Sequence, residues 1–306
     1  MLGLRLALGA IALMAVMTAS VGGLALFDFD SRHASAALEL SLGGAGESWD
    51  ALASGAQAAA NRCGATLTVK SAAEPAAATL AVVGAAETAS CGSEAIMSPH
   101  TLHVGIANYS AGRICAQYVG RHAAAGSSIV VLMERSPRSP AAARLQGFRD
   151  TLRYFKSADA TQSPWHVEVI AVPDAACDPD AAWAALASEH ADAAIVFDFT
   201  GQAAERLQHC FCDVSRDRRP RLVSFDQSEA SLAAIETGEL AAIIAHNPYQ
   251  CGYQAVDRLI MYHRSGALGR PAAGRGCINV PVQLVERGTL AEFRSELKQA
   301  AAGAPR

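Results

Sequence analysis

The stretch SFDQSEASLAAIETGELAAIIAHNPYQCG, residues 224–252, decides the fold of this chain. It contains the end of one apolar strand, a helix that closes at Gly238, a second apolar strand, and a turn at Pro248 that leads into a long helix. A polar residue, Asp226 or His246, follows each of the two strands. Open α/β sheets bind ligands at the carboxyl ends of their strands, so both residues are candidates for a binding site.

Strands and helices alternate along the rest of the chain. An opening strand at 38–42, a helix at 49–62 and a strand at 65–70 predict a parallel strand pair joined by a right-handed crossover. The alternation continues to a single final strand predicted at 278–285 and a polar, alanine-rich tail helix at 289–302. This pattern predicts an α/β fold with a doubly wound sheet and helices on both faces.

Length and charge limit the possible functions. The chain has 306 residues, of which 51% are hydrophobic and 18% charged, so it is long enough for two compact lobes with apolar cores. Its formal net charge of -4 argues against a nucleic-acid partner, because such proteins carry clustered lysine and arginine on one face.

The N-terminus predicts export. Residues 1–5 form a short positive segment, residues 6–27 an uncharged apolar run, and residues 34–36 a small-residue cleavage pattern. The apolar run is also long enough to span a bilayer at roughly 1.5 Å per residue, so a retained membrane anchor is the alternative. Contact with a membrane is expected only through this segment.

Eight cysteines in an exported chain favour disulfides. At the run His209-Cys210-Phe211-Cys212, a disulfide or a free buried thiol is favoured over a zinc site, because the spacing Cys-x-Cys has no second matching pair. The chain has no nucleophile elbow, no phosphate loop of the Walker type and no His-Glu-x-x-His motif. We therefore expect neither an enzyme nor a bound metal or cofactor.

The order of these parts resembles the type I periplasmic binding proteins, the family of the ribose-binding protein and of the sugar-binding halves of the lactose-repressor-like regulators. The resemblance includes the strand-end Asp226, the turn at Pro248, the segment Arg144-Leu145-Gln146-Gly147-Phe148, and an aromatic at the start of the first helix, Trp49. It implies an α/β fold of two doubly wound parallel-sheet lobes joined by a multi-strand hinge. No basic helix-turn-helix precedes the core, so the repressor branch fits less well.

The resemblance also divides the chain. Residues 1–36 would be a signal peptide or membrane anchor, residues 37–107 and 247–279 the N-terminal lobe, residues 108–246 and 280–288 the C-terminal lobe, and residues 289–306 a tail helix. The chain between Lys70 and His103 is too short for the two full helices that family members have there, and Ser98-Pro99-His100 stands where they have an acidic pair. The first lobe is therefore expected to be shortened.

The ligand site implied by the resemblance lies between the lobes. A sugar presents ring faces and many hydroxyls, which suit an aromatic platform and planar side chains that donate and accept in pairs. Phe199 occupies a position where a ligand-binding Asn is usual, so the site would be more apolar than a ribose site. The six expected site residues are Trp49, Asn108, Arg144, Phe199, Asp226 and His246.

Most of these residues have a structural alternative. Asp226 and Asn108 could instead cap the helices that follow them. Arg144 could be a solvated residue of a first helical turn, although the helix dipole disfavours a cation there. His246 could be a structural hydrogen-bonding residue, and Trp49 an ordinary core aromatic.

The function that follows from the resemblance is capture of a small polar ligand, expected to be a sugar, by hinge closure for uptake through an ABC permease. Three alternatives remain open at this stage. The first is a membrane-tethered sensing domain that signals to a kinase or chemoreceptor, and the second is a degenerate family member that serves as an interaction module. An enzyme on the same architecture is the third and least favoured, because a fold alone does not imply chemistry.

Overall fold

The computed structural model of the protein describes most of the chain beyond its N-terminal segment. The described residues are 36–42, 47–71, 78–82, 88–92, 101–134, 139–155, 164–173, 179–201, 203–212, 214–215, 218–265 and 277–302. The apolar run at 6–27 and the segment Ser98-Pro99-His100 lie outside them. No helix within the described ranges is long and apolar enough to cross a membrane.

The described chain alternates between strands and helices, as the sequence predicts, except at residues 66–106 and 277–286, where strand follows strand. In chain order the elements are β1 (Ala37–Leu42), α1 (Glu47–Cys63), β2 (Thr66–Ser71), β3 (Ala78–Val82), β4 (Thr88–Gly92), β5 (Thr101–Ile106), α2 (Asn108–His122), β6 (Ser128–Met133), α3 (Pro140–Leu152), β7 (His166–Ala171), α4 (Pro179–Glu189), β8 (Ile195–Asp198), α5 (Ala204–Cys210), β9 (Arg221–Ser224), α6 (Glu229–Thr237), β10 (Ala242–His246), α7 (Pro248–Ser265), β11 (Cys277–Val280), β12 (Val282–Glu286) and α8 (Leu290–Ala301).

The strands form two six-stranded sheets. The first has the order β11-β5-β4-β3-β1-β2 and the second the order β12-β10-β9-β8-β6-β7. We call the first sheet with α1 and α7 the first lobe, and the second sheet with the remaining helices the second lobe. The chain passes from one sheet to the other three times, after β5, after β10 and after β11. The predicted α/β fold of two lobes joined by a multi-strand hinge is confirmed.

The third passage corrects the single final strand predicted at 278–285. β11 pairs in parallel with β5 in the first sheet, whereas β12 pairs antiparallel with β10 in the second. Pro281 separates the two strands. Proline has no N–H to donate to a strand ladder, so pairing stops at this residue and resumes in the other lobe.

Both sheets are mostly parallel, and each contains an antiparallel strand that the sequence did not predict. β3 runs antiparallel to β1 and to β4, and β12 runs antiparallel to β10. Only residues 83–87 connect β3 to β4. A crossover between parallel neighbours needs about a dozen residues or more, so this connection can form only an antiparallel pair.

The first sheet has one face covered by helices among the described residues. Leu38 and Leu40 of β1 are each 1% exposed and pack in a core with side chains of α1 and α7. The intervening Glu39 is half-buried and forms an ion pair with Lys70 of β2, with 2.7 Å between Nζ and Oε2. This alternation is typical of a sheet with one packed and one solvated face.

The second sheet has apolar cores on both faces. Val130 and Leu132 of β6 contribute to one core, and Ile129 and Val131 of the same strand contribute to the other. The first of these cores also includes Phe293 and its apolar neighbours on α8, so the tail helix packs onto the second lobe. Burial on both faces explains why the strands of this lobe have continuous apolar sequences.

Each lobe contains one pair of helices that cross at glycines. In the second lobe, a Cβ on Gly112 of α2 would lie 1.9 Å from the carbonyl oxygen of Arg144, and one on Gly147 of α3 would lie 2.0 Å from that of Tyr109. In the first lobe, a Cβ on Gly55 of α1 or on Gly252 of α7 would lie 2.0 Å from a backbone oxygen of the facing helix. No side chain fits at these four positions, because the two backbones are in contact.

The crossing of α2 and α3 gives a direct test of this packing. We expect Gly112→Ala to lower the free energy of unfolding by about 1–3 kcal/mol, because the added methyl must push two backbones apart. This loss exceeds the gain in helix propensity of about 1 kcal/mol. Urea denaturation followed by circular dichroism measures the change.

Gly288→Ala is the matched control, since no atom lies within 4 Å of a Cβ built there. We expect it to leave the free energy of unfolding unchanged within about 0.5 kcal/mol. Equal stability of the Gly112→Ala and Gly288→Ala variants would contradict the close crossing.

Candidate functional site

Polar and aromatic residues gather where the strands of the second lobe end and the chain crosses to the first lobe. Asn108 begins α2, directly after the first crossing, and Arg144 lies in the second turn of α3. Phe199 and Phe225 follow β8 and β9, and His246 ends β10 just before the second crossing. We call these five residues the Arg144 cluster.

Arg144 is buried although it is a cation, with 2% of its surface exposed. Its Nε donates a hydrogen bond to Oδ1 of Asn108 over 2.8 Å, and its Nη1 donates to the carbonyl oxygen of Phe199. The guanidinium carbon lies 4.0 Å from the ring centroid of Phe225, which is a cation–π contact. The alternative of a solvated arginine is therefore wrong.

The charge of Arg144 persists in this environment. Burial lowers the pKa of its guanidinium to about 10, and the nearby carboxylate of Asp198 opposes that shift. The group thus remains protonated near neutral pH. Its hydrogen bonds use two of five N–H donors, and the other three make no hydrogen bond within the described residues.

His246 is held in its neutral form. Burial lowers the pKa of the imidazole to about 4, and the positive charge of Arg144 adds to that effect. The backbone N–H of His246 donates to Oε1 of Gln227 over 3.0 Å, which fixes the end of β10 against the loop after β9. A neutral imidazole can donate one hydrogen bond and accept another.

Asp198 organises the turn that presents the Phe199 carbonyl. It is fully buried at the end of β8, and its carboxylate accepts from the backbone N–H groups of Thr200, Gly201 and Ala203 over 3.0–3.2 Å. The hydroxyl of Ser224 donates to it over 2.8 Å. Sequence reasoning did not include Asp198 among the site residues, and its role here is to hold the loop.

Asp226 is not the cap of the helix that follows it, because Ser228 holds that position, but Asp226 bonds to the residues that begin the helix. Its carboxylate accepts from the backbone N–H and the hydroxyl of Ser228, at 2.9 and 2.7 Å, and from the hydroxyl of Ser231 at 2.6 Å. These bonds fix the start of α6, where the side chain of Ser228 also caps the backbone N–H of Ser231. The helix ends at Gly238, which has a left-handed φ of 80° as the sequence pattern indicated.

Asn108 does not cap the helix that it begins. Ala107 is the residue at the cap position, and there is no side-chain cap hydrogen bond. The amide oxygen of Asn108 instead accepts from Arg144. The capping alternative for Asn108 is therefore wrong.

The two aromatic residues of the cluster have different roles. The ring of Phe199 is fully buried and packs edge-on against Phe148, Phe197 and Phe225, with centroids 5.5–5.8 Å apart. Phe225 is half-buried and covers one face of Arg144. Sequence reasoning named Phe199 and missed Phe225, although Phe225 directly precedes the strand-end Asp226.

Trp49 belongs to the other lobe. It lies in the first turn of α1, is half-buried, and packs against the apolar core of the first lobe. The described contacts therefore place it beside that core, whereas the other expected site residues all lie in the second lobe or at its edge.

The described cysteines are free thiols. Six of the eight, at 63, 91, 115, 210, 212 and 251, are described, and none of these six forms a disulfide. In the first lobe, the buried Cys91 thiol donates to the carbonyl oxygen of Cys251 over 3.8 Å. Within the described ranges, no group of three or more His, Cys, Asp or Glu residues could hold a metal ion.

Comparison with known proteins places the chain in a family. A family model described as periplasmic binding protein domain matches residues 82–266, which is more than half of the chain and includes the whole Arg144 cluster. The chain therefore belongs to the periplasmic binding protein domain family. The resemblance drawn from the sequence is confirmed. No curated protein matches the chain by sequence.

Solved structures share the two-lobed fold at low sequence identity. A glucose-galactose binding protein from Geobacillus stearothermophilus has a TM-score of 0.60 and 15% identity, over 83% of this chain and 98% of that one. A periplasmic ribose ABC transporter protein from Conexibacter woesei has a TM-score of 0.61 and 14% identity, over 85% and 95%. A chain of the XylFII-LytSN complex has a TM-score of 0.52 and 12% identity, over 79% and 93%.

The depressed pKa of His246 predicts a loss of stability in mild acid. Between pH 6.5, the pKa of an unfolded histidine, and pH 4, the unfolded chain binds a proton that the folded ring does not. The contribution of His246 is thus fully present above pH 6.5 and disappears as the pH falls toward 4. We expect it to be on the order of 1–3 kcal/mol, because the ring is partly exposed and solvent screens part of the effect.

Urea denaturation at pH values from 4 to 7 tests this expectation. His246→Gln should flatten the pH dependence relative to the parent, and the exposed His166→Gln should leave it unchanged. Parallel curves for the parent and His246→Gln would show that the ring is not held neutral by the fold.

Proposed function

We propose that this protein is a solute-binding protein that captures a small polar ligand, a sugar, between its two lobes and delivers it to an ABC permease. The observation that carries the proposal is the buried Arg144 guanidinium. It lies beneath the crossings between the lobes, stacked on Phe225, with three N–H donors that make no hydrogen bond within the described chain.

The chemistry of the Arg144 cluster suits a polyol. Sugar hydroxyls accept hydrogen bonds from a guanidinium, and the neutral His246 can both donate to and accept from neighbouring hydroxyls. The exposed part of Phe225 adds an apolar surface for a C–H face of a sugar ring. We propose that these side chains form the second-lobe half of the site.

The remaining expected residues have defined parts in the proposal. Asn108 would contact the ligand through its amide N–H groups, because its oxygen is used by Arg144. Asp226 would accept from a hydroxyl with a lone pair that Ser228 and Ser231 leave open. Phe199 would shape the floor of the site, and Trp49 would contribute from the first lobe on closure.

The proposed mechanism is hinge closure. A ligand that bonds to both lobes binds the closed state better than the open one, and this difference in affinity shifts the population toward closure. The hinge would consist of residues 107, 247 and 281, the points at which the chain changes sheets. The permease would then recognise the closed form.

Family membership and the related structures support this proposal. The family name places such proteins in the periplasm or an equivalent extracytoplasmic space. The similar structures include a glucose-galactose binding protein, a periplasmic ribose ABC transporter protein and a solute binding protein in complex with D-arabinose. We propose further that residues 1–36 direct export, either as a cleaved signal or as a retained anchor, and that disulfides can form after export.

A sensory role is the second candidate function. One related structure is a complex of two proteins, XylFII and LytSN, so a protein with this fold can serve as a partner of another protein. The apolar run at 6–27 would tether the chain beside a membrane sensor. Mass spectrometry of the mature protein separates the two roles, since a first residue near Ala37 would exclude a tether.

The sugar proposal predicts ligand-induced stabilisation. At a concentration 100 times its dissociation constant, a bound sugar should raise the free energy of unfolding by about 2.7 kcal/mol. Differential scanning fluorimetry of the purified protein against aldopentoses, aldohexoses and polyols measures this effect. Amino acids and nucleosides serve as the comparison ligands.

Arg144→Lys should lose most of the stabilisation, because an ammonium cannot reproduce the planar donor set of a guanidinium. Arg153→Lys is the matched control, since the side chain of Arg153 is exposed and this residue directly follows the last residue of the same helix. Each variant is compared with its own ligand-free state. If a sugar stabilises the two variants equally, Arg144 does not contact the ligand. If no sugar stabilises the parent protein, the proposed ligand class is wrong.

A further inference from the structure

A second concentration of arginines lies at the opposite edge of the second sheet. A cavity of about 540 Å³ is lined there by residues just before β8 and β10, at the start of β9, and directly after β12. The amino ends of parallel strands meet at this edge, whereas the Arg144 cluster lies at their carboxyl ends. The charged side chains of this basal cavity are Arg218, Arg219, Arg221, Arg287 and Glu239.

Three of the four arginines have no carboxylate partner among the described residues. Arg219 donates from Nη2 to the carbonyl oxygens of Cys212 and Val214, at 2.7 and 3.3 Å. Arg287 donates to the carbonyl oxygen of Glu236. Arg221 lies beside the hydroxyl of the buried Tyr118, where its charge lowers the pKa that burial raises.

The fourth arginine is paired only at the surface. Arg218 forms an ion pair of 3.2 Å with Asp192, and both side chains are largely exposed. Such pairs contribute little and are readily exchanged. Glu239 is the one acidic residue that lines the cavity. The described lining therefore has an excess of positive charge in a protein whose net charge is -4.

One arginine nitrogen in the cavity wall lacks a partner. Nε of Arg219 is buried and has no hydrogen bond within the described chain. A buried N–H without an acceptor costs about 1–3 kcal/mol, so a turn of the Arg219 side chain that brings this N–H to a ligand oxygen would be favoured.

The positive potential extends to the neighbouring helix end. The pKa of His122, at the end of α2, is lowered first by burial and then by the charges of Arg221 and Arg121. The shift is downward even though a carboxylate oxygen of Glu286 lies 3.4 Å from Nε2. After burial, the charge of Arg221 is the largest contribution to this shift.

We propose that the basal cavity binds a phosphate group. A guanidinium matches two phosphate oxygens at once, and a phosphate has enough oxygens to accept from three arginines simultaneously, whereas a carboxylate has two. The volume lies within the range of small-molecule sites, about 300–1,000 Å³. The phosphate comes either from a free or small phosphorylated solute or from an anionic lipid headgroup, and the experiment distinguishes these sources.

The first arm of the experiment titrates the full-length protein with inorganic phosphate at constant ionic strength and follows binding by calorimetry. We expect saturable binding in the parent and at least tenfold weaker binding in the double variant Arg219→Gln/Arg287→Gln. Sodium acetate at the same ionic strength should give no saturable signal. The single variant Arg287→Gln, whose side chain is exposed, repeats the test if the double variant does not fold.

The second arm measures sedimentation with vesicles of phosphatidylglycerol, using phosphatidylcholine vesicles as the background. A difference between the two lipids that the arginine variants abolish supports the proposal and assigns the phosphate to a headgroup. Arg153→Gln is the control in both arms and should behave as the parent.

The proposal is overturned if the parent binds phosphate in neither arm. It is also overturned if the arginine variants bind as the parent does, which would indicate an adventitious ion only. Sugar binding at the Arg144 cluster is unaffected by either result, because the two sites lie at opposite edges of the sheet.

Discussion

The backbone contact between α2 and α3 is the constraint on which the second-lobe site depends. With glycine at 112 and 147, the carbonyl of Arg144 lies against α2 and the carbonyl of Tyr109 lies against α3. The same crossing brings the Arg144 side chain to Asn108, at the very start of α2, across 36 positions of sequence. If α2 and α3 were farther apart, Asn108, where the chain first enters the second lobe, would lie out of reach of the Arg144 guanidinium. In the first lobe, α1 and α7 are in the same kind of backbone contact at their glycines.

Burial of the Arg144 guanidinium has a large cost in hydration free energy. Several individual contacts offset this cost, instead of one ion pair with a carboxylate. Loss of hydration is the main reason that its pKa falls, and the carboxylate of Asp198 offsets part of that loss at a distance. A carbonyl, an amide oxygen and an aromatic face supply the direct contacts. None of these contacts neutralises the charge outright, and three of the N–H donors make no hydrogen bond within the described residues. A direct ion pair with a carboxylate would have neutralised the cation.

The sequence predicted the arrangement of elements because each signal was local. Apolar runs marked strands, Gly238 marked a helix end, and the turn at Pro248 marked the entry to α7. Errors arose where a long-range choice decided the outcome. The reversed direction of β3 depends on connections too short for a crossover, and the split of the last strand depends on which sheet lies beside each half of it. Neither is encoded in the periodicity of the strands themselves.

For the site, the sequence identified which residues stand at strand ends and crossings, and Asn108, Arg144, Phe199 and His246 do lie together there. It could not determine what each side chain does. The carboxylate of Asp226 turns to the serines of α6, the ring of Phe199 turns into the core, and Phe225 covers the guanidinium. Rotamers of this kind are set by neighbours from distant parts of the chain, so only the packed tertiary structure decides them. The sequence by itself determined the order of strands and helices and the positions of the polar residues, because these follow from local patterns of hydrophobicity and turns, whereas the family and the two lobes followed from resemblance to known proteins.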